Sequence, residues 1–185
     1  MLDIFRKSGA LLEGHFRLSS GLHSSGFLQC ALVLQHPAVA EALARVIAAK
    51  ARALRATAVL SPALGGVVIG QEVGRALGVR AIFAERQDGV LMLRRGFMLS
   101  DADRVLIVED VVTTGKSTRE TMQVATAAGG QVVGVASIVD RGGGKANFEM
   151  PFVTLLDLDL PTFQPDACPL CEQGLPVVKP GSRPV

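Results

Sequence analysis

Apolar strands alternate with amphipathic helices along most of the chain. Helical spacing of apolar residues runs through LDIFRKSGALLEG at the start and through PAVAEALARVIAAKARAL, where Pro37 suits a first helical turn. Buried strands are predicted for the short apolar runs TAVLSP, VRAIFAE, RVLIVED and QVVGVASIVD. Helices that end at glycines are predicted for ALGGVVIGQEVGRALG and GKSTRETMQVATAAGG. The alternation predicts an α/β fold, a doubly wound and mostly parallel sheet covered by helices on both faces.

Three of the predicted strands end in loops of unusual composition. These loops are SPALGG, VEDVVTTGKS and VDRGGG. Because ligands of doubly wound sheets bind at the carboxyl ends of the strands, we expect the three loops to converge. The stretch HFRLSSGLHSSGFLQC fits neither the helical nor the strand period and precedes the core, so we interpret it as part of a separate hood.

Length and composition favour a single globular domain. The chain has 185 residues, 49% of them hydrophobic and 19% charged, and it has no long polar tract. A chain of this length can bury one sizeable core without splitting. We therefore expect one domain over 1–185, to which 14–35 and the C-terminal segment contribute a small hood or flap.

The charge and hydropathy of the chain exclude several classes of partner. The net charge is only +2 and the basic residues are scattered, so a nucleic-acid partner is not supported. No stretch approaches the roughly 20 apolar residues of a membrane span, and the N-terminus lacks the apolar region of a signal peptide. We expect a soluble, cytoplasmic protein with no membrane partner.

The three cysteines do not suit a disulfide framework. Cys168 and Cys171 form a CxxC, but a structural zinc site usually needs four ligands, and no second pair is found in the sequence. We interpret this CxxC as a tight C-terminal turn, with metal binding as the alternative.

Two adjacent carboxylates, Glu109 and Asp110, end an apolar strand and are followed at once by TTGKST, a sequence suited to an anion. A nucleoside-triphosphate P-loop would need glycine where Asp110 stands, so that motif is excluded. What remains is a strand-to-helix turn at 113–117 whose backbone N–H groups and hydroxyls can surround one phosphate.

The carboxylates cannot face that phosphate. Since they accept hydrogen bonds, their natural partners are the hydroxyls of the sugar that carries it. The stretch therefore suits a ligand that contains ribose 5-phosphate. The two carboxylates would also place negative charge beneath the sugar ring, which favours a transition state with a cationic anomeric carbon. The structural alternative is helix capping by Thr114 or Ser117, with Ser117 and Glu120 forming a capping box.

The segment VLIVEDVVTTGKS resembles the phosphoribosyl pyrophosphate (PRPP) signature of the type I phosphoribosyltransferases. Together with SPALGG, VDRGGG and FRLSSGLHSSGFLQ, it resembles the orotate phosphoribosyltransferases over most of the chain. The resemblance implies conversion of orotate and PRPP into orotidine 5′-monophosphate and pyrophosphate in pyrimidine synthesis. It also implies Mg²⁺ as cofactor, held mainly by substrate, and a homodimer with shared active sites.

The resemblance assigns roles to individual residues. PRPP binding falls to Arg86, Glu109, Asp110, Val111, Val112, Thr113, Thr114, Gly115, Lys116 and Ser117, and the pyrophosphate loop to Ala63, Leu64, Gly65 and Gly66. Orotate binding falls to Thr113, Arg141, Phe27 and Leu28. The catalytic set comprises Glu109 and Asp110, acting electrostatically, with Arg86, Arg94 and Arg95.

The sequence departs from the family pattern at the mobile catalytic loop and at three lysine positions. The loop segment ERQDGVLMLRRGF is short, lacks Lys and His, and its Asp-Gly predicts a hairpin turn. Gly65, Gln87 and Ser19 stand where many members have Lys. Arg94 and Arg95 are the candidate substitutes for the usual loop lysine.

Chemistry independent of the resemblance also supports Arg141, because a guanidinium can grip the carboxylate of orotate with two hydrogen bonds. The alternatives are a solvated loop charge at Arg141 and an ordinary turn at SPALGG. Two other functions are alternatives to orotate phosphoribosyl transfer: a nucleotide-sensing regulator that binds nucleic acid and a purine phosphoribosyltransferase. The modest charge disfavours the first, and the absence of Tyr and Trp disfavours the second.

Overall fold

The computed structural model describes residues 1–18 and 20–180. Ser19, one of the three positions where the family has Lys, lies outside the described residues. Among the helices of the described part, none has both the length and the hydropathy needed to cross a membrane.

The helices and strands follow the alternation predicted from the sequence. In chain order they are α1 (Leu2–Lys7), β1 (Leu11–Arg17), β2 (His23–Leu28), α2 (Ala31–Leu34), α3 (Pro37–Ala51), β3 (Ala58–Pro62), α4 (Gly65–Leu77), β4 (Arg80–Gln87), β5 (Val90–Leu93), β6 (Arg104–Val112), α5 (Lys116–Ala127), β7 (Gln131–Asp140), β8 (Phe152–Asp157), β9 (Thr162–Phe163) and α6 (Pro169–Glu172). Short 3-10 turns follow α3 and precede α6.

The chain divides into two compact units. The first unit comprises Met1–Val33 and the chain from Asp159 onward, and the second comprises Leu34–Leu158. The interpretation of 1–185 as a single domain with a hood at 14–35 stays a prediction.

The second unit is built on a six-stranded sheet in the order β5-β4-β3-β6-β7-β8. Every neighbouring pair is parallel except β4 and β5. Val105 and Ile107 of β6 share a core cluster with Ala125 of α5, whereas Leu106 and Val108 are buried outside that cluster. The predicted doubly wound, mostly parallel sheet is confirmed.

The predicted hairpin at the short catalytic-loop segment is also confirmed. β4 and β5 pair antiparallel with Gln87 opposite Val90, so Asp88 and Gly89 form a two-residue turn. Both turn residues have positive φ, 51° and 84°, as the turn that suits twisted antiparallel strands requires.

The first unit contains a three-stranded antiparallel sheet in the order β1-β2-β9. The helix predicted over LDIFRKSGALLEG is wrong in its second half. It ends before Gly9, whose φ is +68°, and Leu11 and Leu12 instead pair with Leu28 and Phe27. The stretch that fitted neither period is thus a β-hairpin, and pairing with β2 overrides the helical spacing of the leucines.

Cys168 and Cys171 lie beside two histidines of the hairpin. The ligand atoms of His15, His23, Cys168 and Cys171 all lie within 4.8 Å of one another. The expectation that the CxxC has no second pair of metal ligands is therefore wrong. The second pair was missed because it comes from β1 and β2, with seven residues between the histidines and about 150 residues from the cysteines.

Candidate active site

The three unusual loops converge at one edge of the sheet, as the sequence predicts. β3, β6 and β7 are neighbouring parallel strands, so their carboxyl ends meet. A Cβ added to Gly65, after β3, would lie 2.7 Å from Oδ1 of Asp110, at the end of β6. A Cβ added to Gly142, after β7, would collide with the carbonyl oxygen of Thr113. The loops are thus in contact through glycines that leave no room for side chains.

Glu109 is buried beneath the first turn of α5, with only 4% of the residue exposed. The hydroxyls of Ser117 and Thr118 donate hydrogen bonds of 2.9 and 2.7 Å to its Oε1. Burial raises the pKa of the Glu109 carboxyl to about 7, although the two hydroxyl donors oppose that shift. Oε1 therefore already has two donors from the chain. Thr118 was not singled out in the sequence because it lies beyond the PRPP signature.

Asp110 is only partly buried and points its carboxylate at the start of α4. Burial raises its pKa, against the effect of backbone N–H donors. Both carboxylate oxygens lie within 2.8 Å of the position that a Gly65 Cβ would occupy. The Asp110 side chain in this position therefore leaves room only for a glycine at position 65. This contact gives a local reason for the absence of the lysine found in many family members.

The phosphate loop, residues 113–117, joins β6 to α5. Thr113 and Thr114 are exposed, Gly115 has a φ of +74°, and α5 begins at Lys116. The N–H of Lys116 donates a 3.4 Å hydrogen bond to the Thr114 hydroxyl, and the N-cap residue Gly115 offers no side chain to the other N–H groups of the first turn. An anion at this end would be stabilised by those N–H groups and by the helix dipole.

The capping box predicted as the structural alternative does not form. The Ser117 hydroxyl is bound to Glu109, and the carboxylate of Glu120 pairs with Arg86 of β4. These partners from neighbouring strands displace the local contact that the spacing of Ser117 and Glu120 suggested.

The guanidinium of Arg119 holds the main chain of the phosphate loop in place. Arg119 donates to the carbonyl oxygens of Thr114 and Asn147, both at 2.8 Å, and lies 5.3 Å from the ring centroid of Phe148. A Cβ on Gly115 would approach Phe148 at 2.8 Å and Arg119 at 2.9 Å. The side-chain pattern of the sequence gives no signal of this contact, because the partners of Arg119 are backbone carbonyls.

Arg141, the predicted orotate-binding residue, directly follows β7. Its backbone N–H donates to the carbonyl oxygen of Val112 at 2.7 Å. The buried carboxylate of Asp140 accepts bonds from the backbone N–H groups of Gly142 (2.8 Å) and Gly144 (3.2 Å), which fold the loop around it. Burial lowers the pKa of the Arg141 guanidinium. Within residues 1–18 and 20–180, that guanidinium has no hydrogen-bond or ion-pair partner, so it is available to bind an anion.

The predicted pyrophosphate loop connects β3 to α4. The backbone N–H of Ala63 is held by the carbonyl of Ala84 at 2.8 Å, and the side chain of Leu64 is turned outward, with 87% of the residue exposed. Gly66 is packed tightly, since a Cβ would lie 2.9 Å from the carbonyl oxygen of Val108. The loop therefore presents backbone rather than functional side chains.

The three arginines predicted for the catalytic loop differ in their partners. Arg86 pairs with Glu120 and donates to the carbonyl oxygen of Gly89 at 2.8 Å. Arg95 makes two bonds to Glu85, of 2.7 and 2.8 Å. Arg94 is exposed. In this conformation, Arg86 and Arg95 are therefore engaged by carboxylates of the chain itself.

Phe27 and Leu28 lie at the end of β2 in the first unit. Both pair with β1 on one side, whereas β9 reaches only His23 and Ser24. In the described part of the chain, the other edge of β2 at these two residues has no neighbouring strand.

The chain resembles known proteins in both sequence and structure. Residues 31–165 match the phosphoribosyl transferase domain family. Curated proteins named orotate phosphoribosyltransferase from Carboxydothermus hydrogenoformans and Heliobacterium modesticaldum are each 53% identical over 185 residues, covering 99% of this chain and 97% of the relative.

Solved structures agree with the fold. The crystal structure of orotate phosphoribosyltransferase from Aeropyrum pernix superimposes with a TM-score of 0.68 at 25% identity, covering 85% of this chain and 94% of that chain. A Mycobacterium tuberculosis orotate phosphoribosyltransferase in complex with PRPP has a TM-score of 0.62 at 24% identity, covering 71% and 80% of the two chains.

Proposed function

The chain belongs to the phosphoribosyltransferase family, and we propose from this premise that it transfers the phosphoribosyl group of PRPP to orotate, giving orotidine 5′-monophosphate and pyrophosphate. Relatives that share half of its residues over nearly the whole chain are named orotate phosphoribosyltransferase. The observation that carries the proposal is the guanidinium of Arg141, which has no partner among residues 1–18 and 20–180 and belongs to a loop whose backbone is bonded to Val112 and lies against Thr113. Pyrimidine synthesis is the setting in which such a product is used.

The sugar phosphate is proposed to lie along the end of β6. Its 5-phosphate would bind backbone N–H groups at 113–117, and its hydroxyls would bind the carboxylate of Asp110. Glu109 would act one step further away, since its Oε1 is taken by Ser117 and Thr118. The backbone at Val111 and Val112 positions the acid pair relative to the loop.

Orotate is an acid, and its carboxylate is the group that Arg141 would bind. A charge-assisted pair of this kind also excludes bases that lack the carboxylate, because the guanidinium would stay buried without a partner. Thr113 lies in contact with the loop that carries Arg141, which supports its proposed role beside the base. From the family resemblance alone, the main chain of Phe27 and Leu28 is proposed to pair with the orotate ring, on the side of β2 where the described residues place no strand.

The reaction breaks the bond between the anomeric carbon and the pyrophosphate oxygen and forms a bond from that carbon to a ring nitrogen of orotate. Positive charge develops on the sugar ring as the bond breaks. The carboxylate of Asp110 would stabilise that charge from below. The departing pyrophosphate would meet the backbone at 63–66, where Gly65 and Gly66 allow close approach.

Phosphoribosyltransferases generally use PRPP with Mg²⁺, which neutralises pyrophosphate charge. The acidic oxygens at the end of β6 fit a hard cation of this kind. Within the described residues, the one cluster of three or more His, Cys, Asp or Glu side chains close enough to share an ion lies in the first unit, not at this edge. We therefore propose that substrate oxygens and water supply most of the Mg²⁺ ligands.

We also propose a role for the arginines in and after the hairpin formed by β4 and β5. Arg94 is the exposed cation best placed to take the part of the usual loop lysine, whereas Arg86 and Arg95 would first have to leave Glu120 and Glu85. A homodimer with shared active sites and a cytoplasmic location are proposed on the family resemblance alone.

The proposed function is tested by the choice of base. The purified protein is incubated with PRPP, Mg²⁺ and one of orotate, uracil, adenine and hypoxanthine, and pyrophosphate release is followed. Orotate alone is expected to release pyrophosphate efficiently. Release only with a purine contradicts the proposal, and release with none of the four favours a nucleotide-sensing regulator of the same fold.

A further inference from the structure

Four metal-ligating side chains come together in the first unit, outside the transferase site. His15 lies on β1, His23 on β2, and Cys168 and Cys171 at the start and within α6. Their ligand atoms lie within 4.8 Å of one another. We propose that His15, His23, Cys168 and Cys171 form a four-coordinate structural zinc site.

The distances between the ligand atoms agree with a tetrahedral site. His15 Nε2 lies 2.9 Å from His23 Nδ1, 3.5 Å from Cys168 Sγ and 3.8 Å from Cys171 Sγ, and His23 Nδ1 lies 3.4 Å from Cys171 Sγ. Tetrahedral Zn²⁺ with ordinary bond lengths separates two nitrogens by about 3.3 Å and a nitrogen from a sulfur by about 3.6 Å. The four separations given lie within about 0.4 Å of these tetrahedral values, and the remaining pairs lie within 4.8 Å.

Hydrogen bonding alone explains this convergence poorly. Nδ1 of His15 lies 2.8 Å from the carbonyl oxygen of Leu175, which can only accept, so Nδ1 carries the proton and Nε2 presents a lone pair to the cluster. The lone pair of His15 Nε2 can accept one good hydrogen bond, whereas three other ligand atoms of the cluster lie around it. A cation shared by all four atoms satisfies each of them, and the bond to Leu175 is the outer-shell contact that orients a ligating histidine.

The burial of the cluster favours a structural site over a catalytic one. His15, His23 and Cys168 are 4%, 7% and 1% exposed, and Cys171 is exposed and leaves a route for the ion. With four ligands from the protein, no coordination position is left for a substrate or an activated water. The two thiols would give up their protons on binding.

The site would link β1 and β2 to the segment that contains α6. Beside it, the backbone of Val178 is bonded to β1 through a 2.9 Å bond to the carbonyl of His15 and a 2.9 Å bond from the N–H of Arg17. The described part of the first unit is small, and small units usually need a staple in addition to their core. Binding energy at a site absent from the unfolded chain becomes folding energy for this unit.

The proposal is tested on the full chain, purified with a reductant, stripped with a chelator and titrated with Zn²⁺ or Co²⁺. One equivalent per chain should bind, and Co²⁺ should show the visible absorption of a tetrahedral site together with thiolate charge-transfer bands. Cys171→Ser and His23→Asn should each weaken Zn²⁺ binding more than about 100-fold, since loss of even an outer-shell partner costs about 10- to 100-fold. Cys171 is exposed, so its variant should fold.

Two matched variants control for the loss of a thiol or an imidazole elsewhere. Cys30→Ala removes a buried thiol outside the cluster, and His36→Asn removes the exposed histidine before α3. Both should keep one equivalent of metal and its stabilisation against heat. Failure of the reduced protein to bind, octahedral Co²⁺ spectra, or equal Zn²⁺ stabilisation of wild type and Cys171→Ser would overturn the proposal, as would a Cys168–Cys171 disulfide in protein isolated without metal removal.

Discussion

The carboxylate of Asp110 lies against Gly65 so closely that a Cβ on this glycine would be 2.7 Å from Oδ1 and 2.8 Å from Oδ2. The proposed sugar-binding acid and the proposed pyrophosphate loop are thus positioned by direct contact. A side chain larger than that of glycine at position 65 must displace Asp110 or the start of α4.

The first prediction is that Gly65→Ala displaces Asp110 or the start of α4. Because misplacement of reacting groups by about 1 Å can cost on the order of 100-fold, kcat/KM for PRPP should fall roughly 10- to 100-fold. Steady-state kinetics with orotate in excess measures this. Val68→Ala, at an exposed position of the same helix, is the control and should stay close to wild type. Unchanged kinetics in Gly65→Ala would separate the two loops functionally.

The second prediction concerns the guanidinium of Arg141. Arg141→Ala removes a charge-assisted partner worth about 1.5 to 3 kcal/mol, so orotate binding should weaken about ten- to hundredfold. PRPP binding should change little. Both affinities can be measured by calorimetry. Lys145→Ala, which removes an exposed cation from the same loop, should leave orotate binding intact. Equal loss of both substrates in Arg141→Ala would contradict the assigned role.

The third prediction separates binding from catalysis at Asp110. The amide in Asp110→Asn can still bond a ribose hydroxyl, but the negative field beneath the developing cation is lost. We expect kcat to fall more than PRPP affinity. Rapid-quench turnover and PRPP titration of the same preparation give the two quantities. Full turnover in this variant would remove Asp110 from the catalytic set.

The fourth prediction concerns the clamp behind the phosphate loop. Arg119→Ala removes the two 2.8 Å bonds that hold the carbonyls of Thr114 and Asn147. Because hydrogen bonds from charged groups contribute about 1.5 to 3 kcal/mol, PRPP binding should weaken about tenfold or more while the loop loses its shape. Arg45→Ala, which removes an exposed paired arginine on α3, is the control. PRPP affinity equal in both variants would show that the clamp does not shape the site.

The sequence predicted the sheet edge that carries the candidate site because local rules set it. The apolar run of β6, which continues two residues past Asp110 to Val112, and the glycine before α5 all lie within a dozen residues. The Asp88–Gly89 turn was predictable for the same reason, since only residues that tolerate positive φ suit it. Where one local signal decides the structure, a single sequence suffices.

Contacts between distant segments set the rest. β8 was not predicted, because this edge strand is only partly buried and its half-exposed residues show no clear alternation. The leucines of β1 fit a helical period until pairing with β2 decides their conformation. The meeting of His15 with Cys168 depends on chain ends 153 residues apart, and no spacing rule for metal motifs covers that separation.

The last prediction follows from the burial of Glu109, which raises the pKa of its carboxyl from 4.5 to about 7. Between these values, the folded state holds a proton that the unfolded state releases. The stability gained in this way is complete below about pH 4.5 and is lost as the pH rises through about 7. The slope of the free energy of unfolding against pH is therefore negative in this window for this group.

Glu109→Gln removes this dependence because the amide stays neutral. Relative to wild type, the free energy of unfolding of the variant should rise by roughly 2 to 3 kcal/mol between pH 5 and pH 8. Urea unfolding of the substrate-free protein across that range measures the difference. Glu13→Gln, at an exposed carboxylate, should show no such gain. If the curves of wild type and Glu109→Gln run parallel, then Glu109 is ionised in the folded protein at neutral pH, and its charge reaches the sugar site together with that of Asp110.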